Sequence, residues 1–164
     1  MEVKTEWIIR EIVNSDNKEL ENVLRSVMIE FKVPKKGTAL SDPELKKMSV
    51  AYEKSKSIYF VIEKNGKIFG GAGISQLKNS DENICELQKM YFLNNARGIG
   101  LGKKMIKRCI ENARKYKYDM CYIETMHNMK SAQKLYLSEG FSYINKPKGN
   151  TGHSSCPVWM IKYL

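Results

Sequence analysis

The amino-acid sequence predicts a mixed α/β fold, in which a mostly antiparallel central sheet of about seven strands is flanked by about four helices. Short runs rich in β-branched and aromatic residues alternate along the chain with stretches whose apolar residues recur at helical spacing. Two of the strand-like runs are joined by Asn65-Gly66, a dipeptide typical of two-residue turns between antiparallel strands. At 164 residues the chain is long enough for one core, so we expect a single domain spanning residues 1–164.

The first half of the chain is predicted to supply one strand, two helices and a hairpin. Asp16 and Glu19 have the spacing of a capping box at the start of the first helix, and Pro34 bounds its end. Pro43 suits the first turn of the second helix. The predicted elements are a strand at 7–13, a helix between residues 16 and 34, a helix at 43–52, and strands at 57–63 and 67–76.

Three glycines, Gly70, Gly71 and Gly73, lie inside the second strand of the predicted hairpin. A glycine within a strand indicates a β-bulge or another group lying close against the backbone. We therefore expect one of these two features at this point of the sheet.

The second half of the chain is predicted to alternate strands with two helices. A glycine-rich turn leads into the first of these helices, and Gly140 stands where a C-cap of the second is expected. The predicted elements are a strand at 84–93, a helix at 103–116, a strand at 119–125, a helix at 129–139, and strands at 141–144 and 157–163.

The chain carries a formal net charge of +10, and basic residues crowd the helix predicted at 103–116. A basic helix suits nucleic acid, attracts a polyanionic ligand such as coenzyme A, or is simply a solvated face. Because no series of aromatic residues interleaves with these lysines and no helix-turn-helix pattern is present, we do not favour nucleic acid as a partner.

Composition also disfavours several other classes of protein. No run of eighteen apolar residues is present, so no membrane span is expected, and the first six residues lack the apolar segment of a secretory leader. The four cysteines form no C-x-x-C pair, so we predict no metal site. We therefore expect the cysteines to be reduced thiols and the protein to be cytoplasmic.

The strand predicted at 84–93 and the helix after it are joined by Ala96-Arg97-Gly98-Ile99-Gly100-Leu101-Gly102. Glycines let an anion approach the backbone, and the N–H groups and dipole of a helix N-terminus attract it. The spacing is not that of a Walker A loop, because Gly102-Lys103-Lys104 offers no hydroxyl for Mg²⁺. It also lacks the third, helix-packing glycine of a dinucleotide fingerprint. We therefore predict a different kind of phosphate loop.

Arg97, Gly100 and Gly102 form the pattern R-x-x-G-x-G, which resembles the pyrophosphate loop of the GCN5-related N-acetyltransferases, the GNAT family. Further similar stretches follow one another along the chain in the family's order. They are C-E-L-Q-K-M-Y-F-L at 85–93, I-E-T at 123–125, A-x-x-x-Y-x-x-x-G-F at 132–141 and W-M-I-K-Y-L at the C-terminus. The resemblance implies the GNAT fold and an enzyme that moves the acetyl group of acetyl-CoA to an amine, without a metal.

The resemblance also implies which residues bind acetyl-CoA. The strand before the loop would bind the pantetheine arm and the acetyl carbonyl through its backbone, and the loop would bind the pyrophosphate. Asn128 matches the family's pantetheine-binding asparagine less closely, because Ala132 follows it by four residues instead of three. The implied cofactor-binding residues are Met90, Tyr91, Phe92, Arg97, Gly98, Ile99, Gly100, Leu101, Gly102, Lys103, Asn128 and Ala132.

Two residues are implied to carry the chemistry. Glu86 lies six residues before Phe92, where several family members place a general base, and a glutamate in an apolar strand is unusual unless it is paired or functional. A salt-bridged or solvent-facing glutamate stays open as an alternative, as does a water chain as the base. Tyr136 matches the family tyrosine that protonates the departing thiolate, with a half-buried structural tyrosine as the alternative.

The expected acceptor is the primary amine of a small molecule. A lysine or N-terminal amine of a protein is an alternative acceptor, and a non-catalytic acetyl-CoA-binding module is an alternative function. The resemblance implies an acceptor pocket between residues 30–52 and the loop at 145–156, where His153 is a candidate substrate contact. The charges in these segments are mixed and name no particular amine. The protein is expected to be a monomer or a homodimer.

Overall fold

The structure is a computed structural model that describes residues 6–164. Residues 1–5 lie outside the described range, and they make up most of the N-terminal segment in which we predict no secretory leader. Seven strands form one sheet in the order β1-β2-β3-β4-β5-β7-β6. Neighbouring strands are antiparallel except β4 and β5, so the predicted mixed sheet is confirmed. The strands are β1 (Ile8–Glu11), β2 (Ile58–Lys64), β3 (Lys67–Gln76), β4 (Ile84–Phe92), β5 (Met120–Thr125), β6 (Ser142–Ile144) and β7 (Val158–Tyr163).

Four α-helices accompany the sheet in the described part of the chain, as the sequence predicts. They are α1 (Asn17–Glu30), α2 (Met48–Ala51), α3 (Leu101–Lys115) and α4 (Lys130–Ser138). Short 3-10 turns lie at Asn14–Asp16, Ala39–Ser41, Pro43–Lys46 and Asn94–Ala96. None of the helices formed by residues 6–164 has the length and apolar character that crossing a membrane requires.

The sheet separates two large hydrophobic cores, and a smaller one forms around Tyr122 and Ile161. Helices α3 and α4 pack on one face, where Ile106 is almost fully buried, and α1 packs on the other, where Leu24 is fully buried. Phe60 and Val61 are neighbours on β2 and enter different cores, because successive side chains of a strand point to opposite faces. Both helix layers are held by apolar residues that recur every three or four positions.

The predicted capping box of α1 is wrong. The carboxylate of Asp16 accepts a hydrogen bond from the backbone N–H of Val13 at 2.8 Å and forms an ion pair with Arg10 at 2.8 Å. Glu19 accepts a hydrogen bond from the backbone N–H of Ile68 on β3 at 2.9 Å. Both side chains therefore bind groups outside the helix, and they attach the start of α1 to the sheet and its preceding turn.

The helix predicted at 43–52 is broken. A 3-10 turn at Pro43–Lys46 is followed by the single turn of α2, because Lys47 leaves the helical region with φ −141° and ψ 53°. Leu45 and Met48, on either side of the break, are both fully buried. The two buried residues anchor the 3-10 turn and the turn of α2 to the same core.

The glycines of β3 make room for the ring of Tyr59. A Cβ atom on Gly71 would lie 2.5 Å from Cε1 of Tyr59, and one on Gly73 would lie 2.6 Å from Cδ2. The register between β3 and β4 also shifts between these two glycines. The predicted alternatives, a bulge or a closely packed group, are therefore both present.

Candidate active site

A groove opens where β4 and β5 separate. The two strands pair only over Ile84–Glu86 and Met120–Tyr122, whereas β4 stays paired with β3 as far as Phe92. Within residues 6–164, the backbone groups of β4 that follow Glu86 and face β5 therefore have no strand partner. Because buried backbone N–H and C=O groups need hydrogen-bond partners, this edge is suited to bind a ligand. The separation leaves a groove of about 410 Å³.

The groove is lined by most of the residues that the sequence singled out, together with several that it did not. The predicted residues in its wall are Met90, Tyr91, Phe92, Arg97, Gly98, Gly100, Gly102, Lys103, Asn128, Ala132 and Tyr136. Sequence reasoning missed Val27, Phe31, Ala96, Met129, Lys130, Ser131 and Leu135. No local pattern indicates that Val27 and Phe31 line a groove, which they reach from α1 and its C-cap. Lys130 and Ser131 form the first turn of α4, so the helix predicted at 129–139 was the signal that could have identified them.

Three predicted site residues stand apart from the groove. Ile99 is exposed in the glycine loop and Leu101 is buried in the core, so neither side chain lines the groove. Glu86 belongs to a separate group of polar side chains described below.

The glycine loop ends at the first turn of α3. Gly98 (φ +73°) and Gly100 (φ +87°) adopt the left-handed conformation that favours glycine, and a Cβ atom on either would project into open space. Gly100 is the N-cap of α3 and has no side chain to bond the first N–H groups of the helix. A Cβ atom on Gly102 would lie 2.6 Å from Cδ2 of Leu135. Gly102 thus has the helix-packing role that the motif spacing had not indicated.

The C-terminal end of α1 spans the groove. Arg97 donates from Nε to the carbonyl of Phe92 at 2.8 Å, and its two terminal nitrogens bind both carboxylate oxygens of Glu30 at 2.8 and 2.9 Å. Its guanidinium also lies over the ring of Phe31, 4.9 Å from the centroid. On the opposite wall, Nδ2 of Asn128 donates to the carbonyl of Phe31 at 2.7 Å. Arg97 and Asn128 therefore both attach the walls of the groove to the end of α1.

Tyr136 reaches the groove from α4. Its ring packs on Phe141 with centroids 6.0 Å apart, and the residue is 5% exposed. Its hydroxyl has no hydrogen-bond partner among residues 6–164. Because every fully buried side-chain oxygen in that range has a partner, this hydroxyl is not fully buried and has access to the groove. Burial raises the pKa of Tyr136, so the phenol keeps its proton at neutral pH.

A β-bulge at Lys89 changes which way β4 presents its side chains. Lys89 has φ +49°, and the hydroxyl of Tyr59 donates to its carbonyl at 2.8 Å. Leu87 and Met90 face the core beneath α3 and α4, whereas Gln88 and Lys89 both contact the segment between α1 and β2. The bulge therefore places two consecutive polar side chains on the same face of the sheet.

Glu86 lies on that face, in a group that we call the polar cluster: Asp42, Glu44, Glu86, Gln88, Lys89, Glu124 and His153. Nε2 of Gln88 donates to Oε1 of Glu86 at 2.6 Å. Burial raises the pKa of Glu86 to about 7 against the opposing hydrogen bond from Gln88, and the negative charge of Glu124 adds to the rise. A carboxyl with this pKa exchanges a proton readily at neutral pH.

The cations of the polar cluster are already paired. Lys89, which is 7% exposed, binds Asp42 at 3.0 Å and also binds Glu44. Nε2 of His153 lies 2.9 Å from the carboxylate of Asp42. Burial would lower the pKa of His153, but the hydrogen bond and charge of Asp42 outweigh it and raise that pKa. His153 is thus brought to the cluster as an ion-pair partner of Asp42.

The loop between β6 and β7 covers the polar cluster. Thr151 donates to Glu124 at 2.8 Å, and the backbone N–H of Ser155 donates to the carbonyl of Gly37 at 2.9 Å. The backbone N–H of Asn150 donates to the carbonyl of Lys78 at 2.9 Å. These contacts hold the loop against β5, the α1–α2 segment and the β3–β4 turn. In the part of the chain that the structure describes, no three His, Cys, Asp or Glu side chains gather to hold a metal ion.

The groove, the glycine loop and the separated strands agree with what comparison of the sequence finds. A profile described as the acetyltransferase (GNAT) family matches residues 22–141, well over half of the chain. The chain belongs to the GNAT family. Enzymes of this family are acetyl-CoA-dependent N-acetyltransferases, and this chain is one of them.

One curated relative and two solved structures match this GNAT chain over nearly all of its length. An uncharacterised N-acetyltransferase of Escherichia coli K12, YjgM, is 39% identical over 158 residues, which cover 96% of this chain and 95% of the relative. A GNAT-family acetyltransferase of Staphylococcus aureus has a similar structure, with a TM-score of 0.86, 24% identity and coverage of 97% and 99% of the two chains. The PaiA N-acetyltransferase of Thermoplasma acidophilum, solved with coenzyme A, gives a TM-score of 0.75 at 13% identity and covers 98% and 100%.

Proposed function

We propose that the protein transfers the acetyl group of acetyl-CoA directly to the primary amine of a small molecule. The observation that carries this proposal is the meeting of two features at β4: an open backbone edge along a groove, and Glu86 in the polar cluster on the same strand. The proposal treats residues 1–164 as one domain, since both large hydrophobic cores lie against the same sheet.

The groove fits coenzyme A by its chemistry. The unpaired β4 edge at Met90–Phe92 offers N–H and C=O groups to the amides of a pantetheine arm. The open Cβ positions of Gly98 and Gly100 leave space for a pyrophosphate beside the first turn of α3. The basic side chain of Lys103 lines the same end. PaiA of Thermoplasma acidophilum, whose structure contains coenzyme A, has the same fold.

Glu86 and Tyr136 have the properties that direct transfer needs. Bound acetyl-CoA supplies an activated thioester carbonyl. Alkyl ammonium groups have a pKa near 10, so an acceptor amine must lose a proton, and Glu86 with its pKa of about 7 takes that proton. The hydroxyl of Tyr136 faces the groove with its proton in place, where it donates toward the sulfur position.

A second groove suggests a small acceptor. It has a volume of about 450 Å³ and reaches Glu44, Tyr52 and Gln88. Gln88 donates to Glu86, so the wall of this groove lies one side chain away from the base. Serine and amide side chains line much of the remaining wall: Ser55, Ser57, Ser75, Gln76, Asn79 and Ser80. A polar pocket of this size suits a compact amine with hydrogen-bonding groups better than a protein surface.

The test is thiol release from acetyl-CoA with a panel of acceptors at pH 6 to 9. The panel holds monoamines, diamines, amino acids, amino sugars, and short peptides with a free lysine or N-terminal amine. We expect turnover with at least one small amine, and a Glu86→Gln variant whose loss of kcat/KM is largest at low pH and shrinks as free amine appears in solution.

Other outcomes would change the proposal. Turnover with peptides alone would replace the small-molecule acceptor by a protein. Binding of acetyl-CoA without release of thiol to any acceptor would indicate a non-catalytic module. A Glu86→Gln loss equal at every pH would assign substrate positioning to that residue, and no loss would assign the base to a water chain.

A further inference from the structure

We propose that Gln88 is a positioning residue for Glu86, and that the hydroxyl of Tyr52 fixes Gln88 in turn. The inference rests on the proposed function, because it concerns the group that accepts the acceptor's proton. It assigns a role to two side chains, Gln88 and Tyr52, for which the sequence motifs implied none.

The three side chains form a continuous hydrogen-bonded row. The hydroxyl of Tyr52 donates to Oε1 of Gln88 at 2.6 Å, and Nε2 of Gln88 donates to Oε1 of Glu86 at 2.6 Å. Tyr52 and Glu86 are 6% and 5% exposed, and Gln88 between them is half-buried at the wall of the second groove. Glu86 and Gln88 share a face of β4 because they are two residues apart.

The direction of the row is set by the protonation states at its two ends, Tyr52 and Glu86. Burial and the negative charges of Glu44 and Glu86 raise the pKa of Tyr52, so its hydroxyl stays protonated and donates. While Glu86 is ionised its carboxylate can only accept, so the NH₂ group of Gln88 turns toward Glu86 and Oε1 accepts from Tyr52. A side-chain amide held in this way is ready for the ionised carboxylate before any acceptor binds.

A neutral partner suits a base better than a cation would. Among residues 6–164, Gln88 is the one side chain that hydrogen-bonds Glu86, and Glu86 has no ion pair. Lys89 is close enough to lower the pKa of Glu86 but is bound to Asp42 and Glu44. A direct ion pair would hold that pKa far below neutral and weaken the base. The amide stabilises the carboxylate without that penalty.

The row also serves the protonated base. Once Glu86 holds the proton taken from the amine, its O–H can donate to Oε1 of Gln88 if the carboxamide turns over. Nε2 then donates to the oxygen of Tyr52, since a phenol oxygen accepts as well as donates. Gln88 therefore has a partner for each protonation state of Glu86.

Titratable groups surround Glu86 on every side, and the test must leave them in place. They are Lys89 on its own strand, Tyr122 and Glu124 on β5, His153 and Cys156 in the β6–β7 loop, Asp42 and Glu44 between α1 and α2, and Tyr52 after α2. Replacing Gln88 by leucine changes no charge in this set. A change in the pKa of Glu86 then reports the lost hydrogen bond.

The experiment compares wild type, Gln88→Leu and Tyr52→Phe by two readouts. The carboxyl carbon of Glu86 is titrated by NMR with ¹³C-labelled glutamate, and kcat/KM is measured across pH with the best acceptor. We expect Gln88→Leu to raise the pKa of Glu86 by about one unit, since a hydrogen bond to a charged group is lost, and the kcat/KM midpoint to move with it. Tyr52→Phe should move both in the same direction by less.

Gln133→Leu is the matched control. Gln133 is also buried and hydrogen-bonded, through Nε2 to the carbonyl of Met126 and through Oε1 to Tyr143, but it lies on α4. Its loss should reduce stability without moving the pKa of Glu86. If Gln88→Leu does not fold, Tyr52→Phe, which removes one oxygen, carries the test.

The two hypotheses fail in distinguishable ways. An unchanged NMR pKa of Glu86 in both variants overturns the role of Gln88, whatever the activity shows. A shifted NMR pKa that the kcat/KM midpoint does not follow overturns Glu86 as the base, because the titration needs no catalysis. Shifts in both readouts with Gln133→Leu as well would mark a general structural effect and overturn the positioning role.

Discussion

Replacing Glu86 by glutamine should stabilise the folded protein increasingly as the pH rises from 5 to 8. The folded protein holds the pKa of Glu86 at about 7, above its ordinary value of 4.5. Between these two values the folded state binds a proton that the unfolded state has lost, so wild-type stability falls as the pH rises through this window. Glutamine carries no titrating proton and is free of that loss.

The size of the effect follows from the shift. About 2.5 pKa units at 1.36 kcal/mol each correspond to ~3 kcal/mol when the carboxyl is fully ionised in both states. The difference in unfolding free energy between Glu86→Gln and wild type should therefore be small at pH 5 and approach ~3 kcal/mol at pH 8. Glutamine keeps the shape of the side chain and can still meet the amide of Gln88, so no cavity opposes the gain.

Urea unfolding followed by tryptophan fluorescence at pH 5, 6, 7 and 8 measures this difference. Glu111→Gln is the control, because Glu111 is an exposed glutamate of α3. It should show the wild-type pH dependence. A difference between Glu86→Gln and wild type that stays constant over this range would refute the reasoning, since it would mean that Glu86 ionises equally in the folded and unfolded chains.

Three further changes probe the groove. Gly100→Val should abolish acetyl-CoA binding measured by calorimetry. The control is Gly66→Val, because Gly66 also has a positive φ (+74° against +87°) and an open Cβ position, and this variant should bind acetyl-CoA as the wild type does. Equal binding by both folded variants would contradict a phosphate site at Gly100. Tyr136→Phe should lower kcat by about 10²-fold at constant acetyl-CoA affinity, the low end of the range for a general acid, and an unchanged kcat at all pH values would make Tyr136 structural. Glu30→Gln should tighten acetyl-CoA binding a few-fold by freeing the guanidinium of Arg97, and weaker binding would show instead that this ion pair holds the groove in shape.

The sequence by itself determined the order of the elements and the location of the glycine loop. Hairpin turns, helix periodicity and glycine spacing are local, so Asn65-Gly66 and the stretch from Arg97 to Gly102 could be interpreted without knowing what packs on them. The three glycines of β3 were informative for the same reason. Glu86 stood out because a carboxyl among apolar strand residues is unusual.

Local signals also misled where a distant partner competed for the same side chain. Asp16 and Glu19 have capping-box spacing, yet they bind Arg10 and the backbone of Ile68. The segment at 43–52 has a helix-start proline, but the backbone leaves the helical region at Lys47 and the helix is broken there. For Asp16 and Glu19, contacts made on folding outweighed a preference encoded in neighbouring residues.

Only the tertiary structure decided how the site is completed. The bulge at Lys89 puts two consecutive side chains on one face, and a lysine at positive φ carries no sequence signal that distinguishes it from an ordinary strand residue. Asp42 and His153 meet across 111 residues, and the end of α1 meets Arg97 across 67. Such pairs depend on how the sheet, helices and loops pack, because hydrogen bonds and ion pairs require proximity in space and leave no periodic trace along the chain.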